Sequence, residues 1–105
     1  MKSTQATEAR FHEGQLVQHK RYNYRGVVVG RDPYCQAPDK WYRRNRTQPA
    51  RDQPWYQVLV HGGEQTYVAE ENLVPDDSGR QIRHPLVEEY FSVFLNGRYH
   101  RFSPN

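Results

Sequence analysis

Two short runs of β-forming residues, separated by a pair of glycines, constrain this chain more than any other feature. In Gln53-Pro54-Trp55-Tyr56-Gln57-Val58-Leu59-Val60, large side chains occupy two interleaved faces. Side chains alternate along a strand, so Trp55, Gln57 and Leu59 share one face and Tyr56, Val58 and Val60 the other. The second run, Gln65 to Ala69, supplies Thr66, Tyr67 and Val68 as cross-strand partners. Between them, His61-Gly62-Gly63-Glu64 offers the positive φ of a tight connection. The hairpin ends where Ala69-Glu70-Glu71-Asn72-Leu73 breaks the alternation with a short helical turn. No catalytic signature lies in either run.

The rest of the chain extends this frame. Gln15 to Lys20 reads as a first strand and Arg25 to Arg31 as a second, joined through Tyr22-Asn23-Tyr24, where Asn tolerates a left-handed backbone. Val27-Val28-Val29 is continuously apolar, which predicts burial on both faces. Gly26 and Gly30 bracket it and permit the bends of a small barrel. Leu73-Val74 reads as a short closing strand, followed by the turn Pro75 to Gly79. His84-Pro85 opens a short C-terminal helix, with Leu86 facing Tyr90 and Val87 facing Phe91 one turn on. Asn96-Gly97 folds Arg98-Tyr99-His100 back on Phe94-Leu95. The expected fold is an all-β SH3-like barrel with small helical content, a long loop after the second strand and a short C-terminal helix. Its expected core is Val27, Val29, Val58, Val60, Tyr67, Val68 and Leu73.

The long loop, 32–53, contains Pro33, Pro38 and Pro49. Structureless segments of this length are usually functional or disordered. This one carries Tyr34, Trp41 and Tyr42, so part of it should pack, and Asp39 to Asn45 should form a helical turn behind Pro38.

A chain of 105 residues is of the size of one domain. Its mean hydropathy of −1.09 is low, yet 13% of its residues are aromatic, and such rings bury much area each. The reading is a tail at 1–10 without order and one domain at 11–105. Cys35 has no cysteine to pair with, and no secretory apolar run opens the chain; a cytoplasmic setting is expected. No apolar run is long enough to span a membrane. Charge is uneven. Residues 1–32 hold six Lys/Arg against three Asp/Glu and residues 33–54 five against two, whereas residues 55–105 hold four against seven. A basic first half favours an acidic partner, with nucleic acid one candidate; an ordinary solvated surface is the plainer reading.

Basic and aromatic residues interleave twice, at His19 to Arg25 and at Trp41 to Arg46. Lys and Arg neutralise phosphates, Asn pairs with base edges, and Tyr or Trp stack on bases. Alternatively, Trp41 and Tyr42 anchor the loop while the arginines stay in water. The five histidines lack metal-ligand spacing, and Cys35 has no base beside it, so neither a metal nor another cofactor is expected. Glu70 and Glu71 diverge on their turn, which does not suit a shared catalytic proton. With Asp76, Asp77, Glu88 and Glu89 they suggest a solvated acidic face or a dock for a basic protein.

Four segments in order carry a resemblance: Gly14 to Arg21 with Arg25 to Asp32, QPWYQVLV with TYVAEENL, His84-Pro85 with Tyr90-Phe91-Ser92, and Asn96 to Tyr99. Together the chain from Phe11 to Phe102 resembles the hemimethylated-DNA-binding, YccV-like family. That family includes the heat-shock protein HspQ and a domain attached to some eukaryotic F-box proteins. The resemblance implies an SH3-like barrel, binding to hemimethylated DNA, and assistance to an ATP-dependent protease. The expected function is therefore non-enzymatic binding of duplex DNA through Lys20, Arg21, Arg25, Trp41, Arg43, Arg44, Asn45 and Arg46. Asn45 or a loop aromatic would read a base or methyl group. The alternative is a protein-quality-control adaptor for an ATP-dependent protease, with Glu70, Glu71, Glu88 and Glu89 as its partner face.

Overall fold

The computed structural model describes residues 9–101. Five antiparallel strands form one sheet in the order β4-β3-β2-β1-β5: β1 is Leu16–His19, β2 Arg25–Asp32, β3 Trp55–Val60, β4 Gln65–Ala69 and β5 Leu73–Pro75. A second sheet is the hairpin of β6, Val93–Leu95, and β7, Arg98–His100. Its turn holds Asn96 at φ 54° and Gly97 at φ 77°, the left-handed pair that a two-residue hairpin requires. Asn23 is likewise left-handed, at φ 61°, in the β1–β2 turn.

The valine run of β2 is buried on both faces, and a bulge explains how. Val28 pairs with Val58 but Gly30 pairs with Gln57, leaving Val29 as an extra residue. Val28 enters one cluster, with Val17, Val58, Val68 and Leu73. Val27 and Val29 enter another, with Leu16, Leu59, Ile82 and Tyr99. Gly26 acts differently from the hinge expected of it. A Cβ there would overlap Val58 and the Leu59 carbonyl, so glycine allows β2 and β3 to approach.

The first cluster draws on all five strands, with three side chains from β3 and one from each of the others, including Val68 and Leu73 from the two edges. The sheet therefore coils around it, but β4 and β5 do not pair. The closed barrel is corrected to an open, coiled sheet. A three-residue 3₁₀ turn, Glu70–Asn72, carries the chain from one edge to the other. Hydrogen bonds to this turn stand where a closing ladder would be: the Lys20 N–H donates to the Asn72 carbonyl at 2.9 Å, and the Glu70 N–H to the Pro54 carbonyl at 2.9 Å.

The C-terminal segment covers the other face. Val87, Tyr90, Phe91 and Phe94 pack against the second cluster, and the Tyr99 hydroxyl accepts the Ile82 N–H at 2.9 Å. The helix is shorter than expected: α2 spans only Val87–Tyr90, after a turn at Pro85 and Leu86. Leu86 is 38% exposed and lies outside the clusters that Tyr90 packs on. Two further expectations change. Tyr67 is half-buried on edge strand β4 instead of in the core. Ala9 packs on the first cluster and the Arg10 N–H donates to Glu70 at 2.9 Å, so ordered structure begins before residue 11; the remainder of the expected tail lies outside the described residues.

The connection from β2 to β3 folds on itself. It contains α1, Asp39–Arg44, with Asp39 in the first turn and Arg43 and Arg44 in the last, where each charge suits the helix dipole. The Cys35 N–H donates to the Arg51 carbonyl at 2.9 Å, the Arg51 guanidinium to the Ala37 carbonyl at 2.6 Å, and the Tyr42 hydroxyl to the Pro49 carbonyl at 2.8 Å. Trp41, Tyr42 and Tyr67 pack around buried Trp55, Cys35 and Ala69. This third cluster clamps the connection to the sheet.

Candidate functional site

A groove of about 400 Å³ runs between the β1–β2 turn and the long connection. One wall carries His19, Tyr22 and Tyr24; the other carries Trp41, Asn45, Arg46 and Thr47. Tyr67 of β4 packs against Trp41 on that second side, and Thr66 of β4 and Asn72 of the 3₁₀ turn complete the lining. A shallower extension, reaching Gln36, Pro38 and Gln57, shares Trp41, Asn45, Thr66 and Tyr67 with it.

Both walls are rigid for identifiable reasons. On the first, His19 is buried, and its Nδ1 accepts the Arg21 N–H at 3.0 Å and the Tyr22 N–H at 3.1 Å. Its ring stacks on Tyr22 at 4.7 Å and leans on Tyr24 at 5.0 Å. The Tyr24 phenol, hydrogen-bonded to Thr66, is pushed up to about 12, chiefly by burial. On the second wall, Trp41 meets Trp55 edge-on at 6.2 Å and Tyr67 at 5.7 Å. Tyr67 donates to Asp32 at 2.6 Å and accepts the Gln36 N–H at 3.0 Å. Burial, and then the Asp32 hydrogen bond, keep that phenol protonated far above its ordinary range.

The His19 geometry needs a neutral ring, because Nδ1 is an acceptor twice. Burial, and then the nearby Arg21 charge, lower its pKa from 6.5. The unfolded chain therefore takes up a proton below pH 6.5 that the folded chain resists, and stability falls as pH drops through 6.5 toward the folded value. Thermal melts between pH 7.5 and 5.5 should show this as a steeper loss for the parent than for His19→Asn, whose amide oxygen supplies the acceptor without titrating. Parallel losses in the two proteins would remove His19 as the cause.

The structure sorts the basic residues expected to meet a partner. Lys20 and Arg21 are exposed on the first turn, and Arg43, Arg44 and Arg46 on and just after α1. Both sets thus sit on the segments that wall the groove. Arg25 is corrected. Its guanidinium donates to Asp76 at 2.7 Å, to Ser78 at 3.0 Å and to the Arg80 carbonyl, with its side chain only 16% exposed. Burial tends to raise the Asp76 carboxyl, but the Ser78 and Arg25 hydrogen bonds outweigh it and hold the group below its ordinary range. Arg25 therefore braces the β1–β2 hairpin against the turn after β5. Asn45 and Trp41 line the groove half-buried, so Trp41 both anchors the connection and presents a ring.

The four glutamates of the expected acidic face lie on two separate elements. Glu70 is 8% exposed and accepts the Tyr56 hydroxyl at 2.7 Å besides the Arg10 N–H. Burial, with Glu70 beside it, pushes the Tyr56 phenol up to about 12. Glu71 is exposed and tied to Gln53 at 2.8 Å. Glu88 and Glu89 are exposed on α2, which packs on the opposite face of the sheet from Tyr56 and its neighbours. These residues do not converge. Thr66, Tyr67 and Asn72 were missed as groove residues: Tyr67 reads as core by alternation, and Asn72 only as part of a turn.

Among the described residues, no group of three or more His, Cys, Asp or Glu side chains is placed to hold a metal ion. No described helix is long and apolar enough to cross a membrane.

The family described as "Hemimethylated DNA-binding protein YccV like" matches residues 9–98. The chain is also 38% identical over 89 residues to F-box only protein 21 of Homo sapiens, and equally so to its counterparts in Mus musculus and Pongo abelii. Each match covers 82% of this chain but 14% of the relative, so the chain spans a small part of the length of those proteins.

Proposed function

Since the chain belongs to the YccV-like hemimethylated-DNA-binding family, we propose that it binds duplex DNA along the two walls of the groove. One observation carries this reading. The β1–β2 turn and the α1 segment, distant in sequence, face each other across one groove, and each brings exposed cations: Lys20 and Arg21 from one, Arg43, Arg44 and Arg46 from the other. Phosphates need such side chains on rigid supports, and the His19 stack and the Trp55 cluster supply the rigidity. The strand order, with a 3₁₀ turn before β5, supports an SH3-like reading of the coiled sheet. That fold hosts many functions, so it does not choose between them.

The preference for hemimethylated sites and a cytoplasmic setting belong to the same proposal. Competition in fluorescence anisotropy tests it, with a labelled hemimethylated duplex challenged by unmethylated and fully methylated duplexes of the same sequence. The hemimethylated competitor should be the most effective. Equal competition by all three would leave a DNA binder without methyl preference, and no binding to any duplex would overturn the reading. The adaptor alternative has less beneath it. Glu70 is buried, and Glu71 lies apart from Glu88 and Glu89, so its proposed partner face reduces to the last two residues.

A further inference from the structure

We propose that the groove receives a single unstacked nucleobase, turned out of the duplex at the bound site. The inference rests on the DNA-binding reading and assigns the groove a task within it.

Four observations point to a base. The first is aromatic surface on both sides. Tyr22 is 46% exposed yet held in place by its stack on His19, while Trp41 and Tyr67 stand opposite, fixed edge-on to each other. Base–aromatic stacking needs a presented, immobile ring face, and it tolerates any base.

The second is uncommitted hydrogen-bonding capacity. The Asn45 backbone N–H donates to the Tyr42 carbonyl, and the Asn72 carbonyl accepts the Lys20 N–H. Both residues line the groove, and no side-chain hydrogen bond is made by either amide within the described residues. An amide pairs a donor with an acceptor, the pattern that reads a base edge. In an intact duplex the Watson–Crick edge is occupied by the paired base; in an extruded base it is available.

The third is charge. Cations lie on both walls, so the phosphates before and after an extruded nucleotide each find a partner, Lys20 or Arg21 on one side and Arg46 on the other. The fourth is size. At about 400 Å³ the groove lies within the usual range for sites that take small ligands, and that volume does not admit a double helix. The duplex therefore stays outside, and only a part of it as small as one base can enter.

The test uses the whole chain and a hemimethylated duplex carrying 2-aminopurine, placed in turn at each adenine within or beside the methylated site on either strand. This fluorophore is dark in the stack and bright outside it. Binding by the parent should raise its emission several-fold at one position. Tyr22→Phe should retain that rise. Tyr22→Ala, with circular dichroism showing an unchanged fold, should lose it while still binding the duplex through the cations. A mismatch at the responsive position should tighten parent binding about tenfold, because less pairing must be broken. The isolated strand separates the sources: a base captured only from single strands would bind it yet leave the duplex probe dark. Duplex binding without a rise at any position, and without a mismatch effect, overturns the base pocket and leaves DNA binding standing. A rise that persists in Tyr22→Ala also overturns it, because the extruded base is then not held by the groove. Failure to bind any duplex defeats the functional reading itself, together with this one.

Discussion

Val58→Asp should leave the domain unfolded. Val58 has no exposed surface, lies at the centre of β3 and shares the first cluster with residues from every strand of the sheet. A carboxylate there loses its hydration and finds no compensating charge or donor. Substitutions of this kind fall in the exceptional class, about 4–5 kcal/mol or more. A domain of this size has about 5–15 kcal/mol in total, so the variant should show no cooperative melt and no near-ultraviolet dichroism at 25 °C. Gln57→Asp is the control. Gln57 is the next residue along the strand and is exposed, so a carboxylate there stays in water and the fold should persist. A normal melt for Val58→Asp would contradict the assigned alternation of β3.

Replacing Arg43, Arg44 and Arg46 together with alanine should weaken duplex binding by about 100-fold or more near 0.1 M salt, with the loss shared by every sequence. The estimate follows from removing about three phosphate contacts, each releasing close to one counterion. All three side chains are exposed. None makes an ion pair in the structure, whose salt bridges join Arg25 with Asp76 and Arg51 with Asp39 among the described residues. Stability should consequently change little, and circular dichroism checks that. Gel-shift titration of parent and variant against hemimethylated and unmethylated duplexes measures the binding loss. Arg25→Ala should behave otherwise, lowering the melting temperature because it strands a nearly buried Asp76.

Much of the fold was legible because local chemistry and global packing agree in it. Trp55 to Val60 alternates and Gly62-Gly63 turns, at φ 111° and 121°, so the β3–β4 hairpin is specified by its own residues. The helix in the long connection follows from Pro38, Asp39 and the arginines behind them. Closure of the sheet was not legible. Whether β4 and β5 pair depends on how the Glu70–Asn72 turn crosses between the edges, and no residue type announces that. Glu70 shows the same limit for the site. A glutamate in a polar run reads as solvated, and only the fold brings Tyr56 and the Arg10 backbone to it. Arg25 reads as a free cation until Asp76, far along the chain, is placed beside it. The basic segments themselves were visible as composition. Their meeting across one groove is a property of the coiled sheet.

The claim that the two walls act together on phosphates is tested most directly by the salt dependence of duplex binding. If about four cations from Lys20, Arg21, Arg43, Arg44 and Arg46 engage phosphates, log affinity against log salt should have a slope of about −3.6. The parent should then weaken about 150-fold between 50 and 200 mM salt. The triple alanine variant, left with one or two contacts from the first turn, should have a slope between about −0.9 and −1.8. A flat dependence in the parent, or the same slope in parent and variant, would contradict the account.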